Sequence, residues 1–415
     1  MDEKIELNID NSDLNDVLKN DKKTNVGREK SEKSWLVFLI IGILSLIGGI
    51  VCLLVVFLKP VEKKADLAFP KIPSETEPEE SYSSLTGEVL KDAELKNAPL
   101  YCIQVPNGLD GARPQAGLTE AGVMFEAIAE AGITRFAAIF EKPTTAVIGP
   151  IRSLRTYFLN WDVPFDCTII HAGGSADAMA ALRSGGYKEQ DENYYYMYRG
   201  TAGTRLWNNL FTTSSSIERF STDSGYSTSN ATGFSRLTPK QAKIARIDGL
   251  VEEKLNITKE TEKDTSELTP EVSDISFIFG GVPSFNVVYH YDLASNSYLR
   301  SYGDGAAHEV YKCQDGDLGE INPEGSCELT QLAPKVVIAM IVQEGRASDN
   351  YHEDITTSGS GRAYVFQNGM VTTGTWNKGS TEEQIKFIDD NGNEIKLAPG
   401  QMIISAVPNY GGVDY

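Results

Sequence analysis

The sequence predicts an α/β N-terminal domain, built on a mostly parallel sheet with crossover helices, followed by a β-rich C-terminal domain and preceded by one transmembrane helix. Three observations predict this architecture. Residues 35–58 carry no charge, strand-like and helix-like patterns alternate over 97–210, and short β-branched and aromatic runs separated by turn signals begin at about residue 274. Alternation is typical of parallel strands joined by crossover helices, and short runs with frequent turns are typical of antiparallel sheet.

The uncharged run from Trp35 to Leu58 is long enough to cross a membrane. A hydrocarbon core of about 30 Å requires roughly 20 apolar residues in a helix, and a helix satisfies its own backbone polar groups. Signal-peptide apolar regions run only about 7–15 residues, and here Lys59 and Pro60 follow at once. Cys52 lies inside the run and is interpreted as a membrane-buried thiol. We therefore predict a retained single-pass anchor, with the large C-terminal part outside the cell membrane.

Shifts in composition predict the other boundaries. A polar, acidic start without periodicity is typical of disorder, and prolines mixed with an acidic run keep a chain extended. A charged stretch that contains Pro270 indicates a linker. The predicted segments are a disordered cytoplasmic tail (1–34), the transmembrane helix (35–58), an extracellular stalk (59–95), the N-terminal α/β domain (96–250), a linker (251–273) and the C-terminal β-rich domain (274–415).

In the N-terminal domain, hydrophobic periodicity predicts three strands and three helices. The first helix has the strongest signals, because Thr119 is placed to cap it, Leu118 is placed to pack on Val123 as a hydrophobic staple, and apolar residues recur on one face. The predicted strands are Leu100–Val105, Thr134–Glu141 and Cys167–His171, and the predicted helices are Thr119–Ala131, Ile151–Trp161 and Ala176–Ser184.

In the C-terminal domain, turn dipeptides such as Asn368-Gly369 and Asn391-Gly392 separate the strand-like runs. Its aromatic residues fit cross-strand pairs in a core better than a platform for sugars. The predicted strands are Phe285–Tyr291, Tyr298–Tyr302, Lys335–Val342, Ala363–Gln367, Val371–Trp376, Gln384–Ile388 and Met402–Val407.

Composition excludes several classes of partner. The 415 residues carry a formal charge of −20, which disfavours attraction to nucleic acid or to an anionic bilayer surface. The four histidines have no ligand-like spacing, so no metal is expected, and no complete nucleotide or phosphate fingerprint predicts a cofactor. Five cysteines are too few for a disulfide scaffold. Cys313 and Cys327 flank a turn-rich loop, and the sequence is equally compatible with a disulfide between them and with two free thiols.

Three motifs resemble a known family. The stretch NGLDGARPQAGLTEAGVMFEAIAEAGITRF, then GPIRSLRTYF, then HAGGS resembles the YerB-like lipoproteins, a bacterial envelope family with paired N- and C-terminal domains and no assigned biochemical role. The C-terminal half resembles the family more loosely, through YDLASNSYLRSYGDGAAH, SGSGRAYVFQNG and LAPGQMIISAVP. This chain departs from the family in having a spanning helix in place of a lipidated cysteine and in lacking an expected asparagine within 335–343. The resemblance implies architecture and envelope location, and it implies no enzyme mechanism.

Two arginines suggest an anion site. Pro150 suits the first turn of a helix, and Arg152 and Arg155 would then project from its N-terminal turns. Cations there oppose the helix dipole, which costs about 0.3–1 kcal/mol per charge, so we expect a negative group nearby. Glu126 and Glu130, one turn apart on the predicted first helix, are candidate internal partners, and a bound carboxylate or phosphate is the alternative.

Two loops are predicted to share the crevice at the carboxyl edge of the sheet. The first, His171 to Ser175, follows a predicted strand and opens a helix, where glycines allow close approach of a ligand. The second contributes Asn107, Arg113 and Gln115, for which ligand contact and bonding to neighbouring carbonyls are equally good interpretations. The predicted ligand-binding residues are Asn107, Arg113, Gln115, Glu126, Arg152, Arg155, His171, Gly173, Gly174 and Ser175.

The sequence thus predicts an externally facing envelope protein that binds, without catalysis, an anionic wall-derived fragment or peptide carboxylate. Two alternatives remain open. A cell-wall hydrolase would use acidic residues such as Glu126, although the Gly173-Gly174-Ser175 frame does not match a nucleophile elbow and no group that orients a base is evident. A protein-interaction scaffold of the envelope would have an exposed apolar patch and no small-ligand site.

Overall fold

A computed structural model describes residues 80–200, 208–250, 270–313 and 327–415. The strands, in chain order, are β1 (Leu100–Pro106), β2 (Val123–Ile128), β3 (Thr134–Glu141), β4 (Thr168–Ile170), β5 (Glu189–Gln190), β6 (Met197–Arg199), β7 (Leu210–Thr212), β8 (Asp274–Ile278), β9 (Val287–Asp292), β10 (Ser297–Tyr302), β11 (Glu309–Cys313), β12 (Cys327–Gln331), β13 (Val336–Val342), β14 (Glu344–Arg346), β15 (Glu353–Ile355), β16 (Gly359–Gln367), β17 (Met370–Lys378), β18 (Lys386–Asp389), β19 (Met402–Pro408) and β20 (Gly412–Asp414). The α-helices are α1 (Thr156–Asp162), α2 (Ala176–Gly185), α3 (Ser214–Asp223) and α4 (Pro239–Leu250).

Ten strands form one mixed sheet, in the order β18-β17-β16-β13-β19-β2-β3-β1-β4-β5. The neighbours β1 and β4, β4 and β5, β19 and β2, and β13 and β19 pair in parallel, whereas β3 is antiparallel to both β1 and β2. It follows that β1, β2, β4, β5, β13 and β19 all run in one direction. The loops that follow these six strands therefore meet along one edge of the sheet, which we call the carboxyl edge.

Apolar clusters cover both faces of this sheet. On one face, the sheet packs against α1 and α2 through side chains that include Phe125, Trp161 and Ile169. The opposite face packs partly on a second, antiparallel sheet of order β10-β9-β8-β20, through side chains that include Phe277, Tyr289 and Phe366. The middle strands are consequently buried on both sides, as expected for strands between covered faces.

The fold class predicted from the sequence is wrong in its separation of an α/β half from a β-rich half. The first half contributes β1 to β5 and the second contributes β13 and β16 to β19 to the same ten-stranded sheet, joined where Met402 to Ser405 of β19 pair with Val123 to Glu126 of β2. The described protein is largely β, and its large sheet is mixed rather than mostly parallel. Sequence periodicity could not indicate this pairing, because it joins strands almost 280 positions apart. The predicted domain boundaries stay predictions.

The helix predicted at Thr119–Ala131 is also wrong, because its central part is β2. All six residues of β2 are buried, since β19 and β3 flank it and both faces are covered. A strand buried on both faces loses the alternation of apolar and polar residues that identifies a strand. Because the apolar residues of β2 are nearly consecutive, they also match the spacing of an apolar helix face. Thr119 does not cap a helix and lies in a short 3-10 turn, Leu118–Glu120.

The predicted transmembrane helix is not supported. In the described ranges no helix is long and apolar enough to cross a bilayer. The run at 35–58, with Cys52, the predicted tail and most of the predicted stalk and linker, lies outside those ranges. The transmembrane and single-pass assignments are therefore not retained.

Two disulfide bonds cross-link the described part of the chain. Cys313 and Cys327 are paired across the β11–β12 hairpin, which settles the alternative left open by the sequence. The second bond joins Cys102 in β1 to Cys167, just before β4, across 65 positions. Both sulfurs of this second pair are buried between the sheet and α1, and no spacing in the sequence pointed to it.

Candidate functional site

The carboxyl edge brings together most of the residues predicted to bind a ligand. Asn107 directly follows β1, His171 directly follows β4, and Glu130 lies in the turn that follows β2. The segment 150–155 crosses this edge, because the Arg152 amide donates to the Gln104 carbonyl at 2.8 Å and the Arg152 carbonyl accepts from the Ala172 amide at 3.1 Å. The predicted placement of these loops at one edge thus matches their position in the structure.

The segment before α1 is extended rather than helical. The predicted helix at Ile151–Trp161 begins only at Thr156, and Arg155 is its N-cap residue, with φ −125° and ψ 153°. The backbone amides of Ile151 and Leu154 bond to the carbonyls of Leu210 and Gly173, so this stretch pairs with its neighbours instead of winding into a turn. Arg152 therefore does not project from a helix end, and the dipole argument does not apply to it.

Glu130 holds two arginines at once. Its carboxylate accepts from Arg155 Nε and lies 3.3 Å from an Arg135 nitrogen. Arg135 also donates to the Ser153 carbonyl at 2.6 Å, and Arg155 to the Leu154 carbonyl at 2.9 Å. Burial, together with the neighbouring Arg155 charge, lowers the pKa of Arg135 to about 10, although the Glu130 carboxylate opposes the shift. One carboxylate thus serves two buried guanidinium groups, so this cluster keeps a positive balance.

Arg152 adds a third positive charge beside this cluster. Within the described ranges its half-buried guanidinium makes no hydrogen bond and no ion pair. Burial lowers the pKa of Arg152; the charge of Asp110 opposes this shift and that of Arg155 adds to it. A partly buried charge without a close partner is costly. Arg152 is therefore a charged group of this edge whose bonding capacity is still open.

The Glu130 carboxylate makes the cluster sensitive to acid. Burial alone would raise the pKa of Glu130, but the Arg155 hydrogen bond and the two arginine charges outweigh burial and place it below the ordinary 4.5. The folded state then binds fewer protons than the unfolded chain, so this contribution to stability is present above pH 4.5 and is lost as the pH falls through the folded-state pKa.

We accordingly expect Glu130→Gln to lower the free energy of unfolding at pH 7 and to lower it less at pH 3. Urea unfolding of both proteins at the two pH values measures the difference. An equal loss at both pH values would contradict the assignment of this contribution to the Glu130 charge.

Most polar groups of the His171 to Ser175 loop bond within the protein, although His171 Nε2 has no hydrogen-bond partner among the described residues. The Gly173 amide donates to Asp191 Oδ1 at 2.8 Å, at a φ of 62° that favours glycine, and Ser175 caps α2 by accepting from the Ala178 amide at 3.4 Å. Gly174 forms an isolated parallel β-bridge with Leu154. His171 is fully buried, its Nδ1 is 3.0 Å from the Gly173 carbonyl, and burial lowers its pKa although Asp191 opposes the shift. This loop shapes the edge more than it offers donors to a ligand.

The other predicted residues form an internal polar network. Asn107 Oδ1 accepts from Arg113 Nε at 2.9 Å and from Gln115 Nε2 at 3.0 Å. The Arg113 guanidinium lies 3.6 Å from the centre of the Tyr302 ring and donates to the Ser284 carbonyl at 2.9 Å. Bonding inside the protein, the alternative weighed for these side chains, is what the structure shows for them.

Glu126 lies in the same network, inside the core. It is fully buried in β2 and accepts from Arg300 at 2.8 Å and from Ser405 Oγ at 3.2 Å. Arg300 and His308 complete the network and were missed from the sequence. An arginine in a strand pattern indicates a solvent-facing position, and His308 was considered only as a metal ligand and set aside. Glu126 is thus a partner of Arg300, and it neither pairs with Arg152 or Arg155 nor reaches solvent.

A cavity of about 420 Å³ opens beside Arg155. It lies between the N-terminal ends of α1 and α2 and the hairpin of β14 and β15, and four of its lining residues are acidic. Burial and the neighbouring Glu344 carboxylate raise the pKa of Glu353, one of these four, to about 7. The acidic lining residues are Asp177, Asp349, Glu353 and Asp354. The carboxyl edge therefore carries a basic cluster next to an acidic cavity.

A larger cavity, of about 560 Å³, lies at the opposite edge of the sheet. The Glu141 carboxylate in its wall accepts from Ser83 Oγ at 2.5 Å, and Lys335 Nζ donates to the Ser295 carbonyl at 2.6 Å. None of the sequence-predicted residues lines it. Its lysine is already bonded, so the basic cluster at the carboxyl edge is the better candidate for an anion.

Comparison with known proteins gives concordant matches. Residues 85–227 match the model described as "Protein of unknown function (DUF3048) N-terminal domain", and residues 281–404 match the corresponding C-terminal domain. The "Putative lipoprotein YerB" of Bacillus subtilis (strain 168) is 26% identical over 313 residues, covering 74% of this chain and 80% of that protein. The crystal structure of the YerB protein from Bacillus subtilis aligns with a TM-score of 0.61 and 21% identity, covering 81% of this chain and all of the other.

Proposed function

Because this chain belongs to the YerB-like family of proteins of unknown function, DUF3048, we propose a function from its own site: non-catalytic binding of an anionic ligand at the carboxyl edge. The observation that carries the proposal is the half-buried Arg152 guanidinium, which lacks a bonding partner among the described residues. A carboxylate or phosphate would supply the bidentate acceptor that a guanidinium fits best.

The neighbours of Arg152 strengthen this proposal. Arg135 and Arg155 already share Glu130, so an incoming anion meets a net positive cluster in a chain that is otherwise strongly acidic. Such a local field attracts anions even when the whole protein repels them. The acidic cavity beside the cluster disfavours a polyanion, because its carboxylates would repel closely spaced negative charges. The site therefore fits a ligand with isolated anionic groups, such as a wall fragment or a peptide carboxylate.

The proposed location is the cell envelope, outside the reducing cytosol. Two disulfides are present among the described residues, and such bonds persist in oxidising compartments. The relative named as a lipoprotein supports attachment to a membrane. Glu126 does not support the hydrolase alternative, because its carboxylate is fully buried and paired with Arg300.

Titration of the full-length protein with N-acetylalanine, a small carboxylate, and with inorganic phosphate tests the proposal by calorimetry. We expect Arg152→Ala to weaken binding by about 10- to 100-fold, the value of a charge-assisted hydrogen bond, and Arg152→Lys to restore only part of it. Arg155→Ala should have a smaller effect on affinity, because Glu130 already occupies that guanidinium.

The matched control is Arg362→Ala, which removes an exposed arginine that is paired with Asp390 at 2.7 Å on β16. This variant should bind both anions as the unchanged protein does. Absence of binding to either anion, or equal affinities in the Arg152 and Arg362 variants, would refute anion binding at this edge.

A further inference from the structure

Four exposed tyrosines lie in the loops of the carboxyl edge. Tyr194 and Tyr195 follow β5 with 65% and 66% of their surface exposed, Tyr351 lies between β14 and β15 with 63%, and Tyr410 follows β19 with 61%. Among the described residues, the other large aromatic side chain with comparable exposure is Tyr415, at 55%. Aromatic rings concentrated in one exposed region are typical of binding surfaces, because leaving them in water is unfavourable.

Two of these tyrosines contact residues that interact with the basic cluster. The Tyr194 hydroxyl accepts from Arg199 Nε at 3.0 Å, and the charge of Arg199 acts on Arg152. On the other side, the Tyr351 ring lies 5.0 Å from the ring of His352, whose Nε2 is 3.8 Å from Glu130.

Tyr410 lies near the acidic cavity, because the preceding Asn409 donates to the Val342 carbonyl at 2.8 Å and to Gln343 Oε1 at 2.9 Å, just before the hairpin of β14 and β15. Partial burial and the carboxylates of Glu344 and Glu353 together raise its pKa, and Glu353 is one of the acidic residues that line the cavity. The tyrosines therefore extend the same site on both sides of Arg152.

Sheet order gives the sequence of groups along this edge. Tyr410 follows β19, Glu130 follows β2, Arg152 is bonded beside β1 and β4, and Tyr194 follows β5. From β19 to β5 there are five strand spacings of about 4.8 Å, or roughly 24 Å. The edge is therefore long enough for several linked rings and too long for one small anion.

The chemistry of these groups points to a sugar. A sugar ring presents an apolar face of C–H groups, which packs on a flat aromatic ring, and an edge of hydroxyls, which donate to carboxylates. Aromatic rings and carboxylates lie close together here. Asp349 and Glu353 belong to the hairpin that carries Tyr351, and the Glu353 charge acts on Tyr410. A protein-docking surface would instead have a contiguous apolar centre, whereas Leu109 is the one exposed aliphatic residue of these described loops.

We propose that the carboxyl edge binds a carbohydrate strand, with sugar rings packed on Tyr194, Tyr195, Tyr351 and Tyr410 and a carboxylate substituent bound by Arg152. The inference rests on the proposed function, whose anion site it places within a longer binding surface. Sugar hydroxyls are neutral donors that the acidic cavity accepts without repulsion, so one surface accommodates both the acidic and the basic groups.

The test is calorimetric titration of the full-length protein with two β-1,4-linked hexasaccharides, a neutral N-acetylglucosamine hexamer and a hexamer of alternating N-acetylglucosamine and N-acetylmuramic acid, which carries a carboxylate on every second ring. Tyr194→Ala/Tyr195→Ala and Tyr351→Ala should each weaken hexasaccharide binding by at least about tenfold, because each removes a stacking surface. The same variants should bind N-acetylalanine as the unchanged protein does. The matched control is Tyr415→Ala, which removes a similarly exposed ring that packs beside Phe366 instead of in these loops.

Preference of the unchanged protein for the alternating hexamer over the neutral hexamer, abolished in Arg152→Ala, would connect the tyrosines and the arginine in one site. Absence of binding to both hexasaccharides, or equal binding by the tyrosine variants and the control, would overturn the inference. Arg152-dependent binding of N-acetylalanine in that case would leave the anion site intact, so failure of the sugar inference is distinguishable from failure of the proposed function.

Discussion

Replacing Glu126 with alanine is expected to lower the free energy of unfolding by roughly 3–5 kcal/mol, the cost of leaving a buried charge without its partner. Glu126 and Arg300 are both fully buried, and their 2.8 Å contact joins residues 174 positions apart. Arg300 also donates to Tyr289 at 2.7 Å and to His308 Nδ1 at 2.8 Å. These partners are neutral, so they cannot replace the carboxylate. Urea unfolding at neutral pH measures the loss.

His308 cannot take over the role of counter-charge. It is fully buried, and burial together with the Arg300 and Arg113 charges lowers its pKa well below the ordinary value. Its Nδ1 accepts from Arg300 and its Nε2 lies 3.1 Å from the side-chain oxygen Oε1 of Gln115, which fits a neutral ring protonated at Nε2. Glu126 is thus the one buried anion that neutralises Arg300 in this network. Removing it leaves the Arg300 charge buried without a counter-ion.

The control for this prediction is an ion pair of the same kind at the surface. Arg362 and Asp390 are 2.7 Å apart, with side chains about half exposed, and exposed pairs contribute about 0–1 kcal/mol. Asp390→Ala should therefore change the free energy of unfolding by less than about 1 kcal/mol. If Glu126→Ala costs no more than this control, Glu126 is not the counter-ion on which the buried network depends.

Removing the buried disulfide, by Cys102→Ser/Cys167→Ser, is expected to lower the free energy of unfolding by about 4 kcal/mol. The bond closes a loop of 65 positions, and a closed loop restricts the unfolded chain more as its length grows. Because both sulfurs lie in the core beside Phe158 and Ile169, the two buried hydroxyls of serine add to the loss. Thermal and urea unfolding under non-reducing conditions measure it.

The second disulfide provides the comparison. Cys313 and Cys327 are only 14 positions apart, so Cys313→Ser/Cys327→Ser should cost about 3 kcal/mol or less. A larger loss from this pair than from Cys102 and Cys167 would contradict the assignment of the core bond as the stronger constraint.

The positions of ten of the twenty described strands were predicted from the sequence. The run Thr134–Glu141 coincides with β3, and the predicted strands at Tyr298–Tyr302 and Met402–Val407 differ from β10 and β19 by a single residue at one end. The helix predicted at Ala176–Ser184 is α2, whose Ser175 cap and Gly186 terminus are local signals. These elements were accessible because their determinants lie within a few residues of each other.

The candidate site was predictable only in part. Arg152 and Arg155 were singled out for a helix end that does not exist, yet the expectation of a negative neighbour was correct for Arg155, which Glu130 binds. The Arg152 guanidinium has no such partner in the described part of the chain. Whether an arginine is paired depends on groups brought from other loops, and no local pattern encodes that.

By itself the sequence determined the positions of ten of the twenty described strands, the acidic balance of the chain and the loops in which polar residues concentrate, because these properties depend on composition and short-range periodicity. Only the tertiary structure decided that β2 is a strand paired with β19, that Glu126 neutralises Arg300, and that Tyr194 and Tyr410 share an edge with Arg152. The physical reason is that burial on both faces and pairing between distant segments are properties of the assembled sheet. A residue's partner, and with it the availability of its charge, exists only once that sheet has formed.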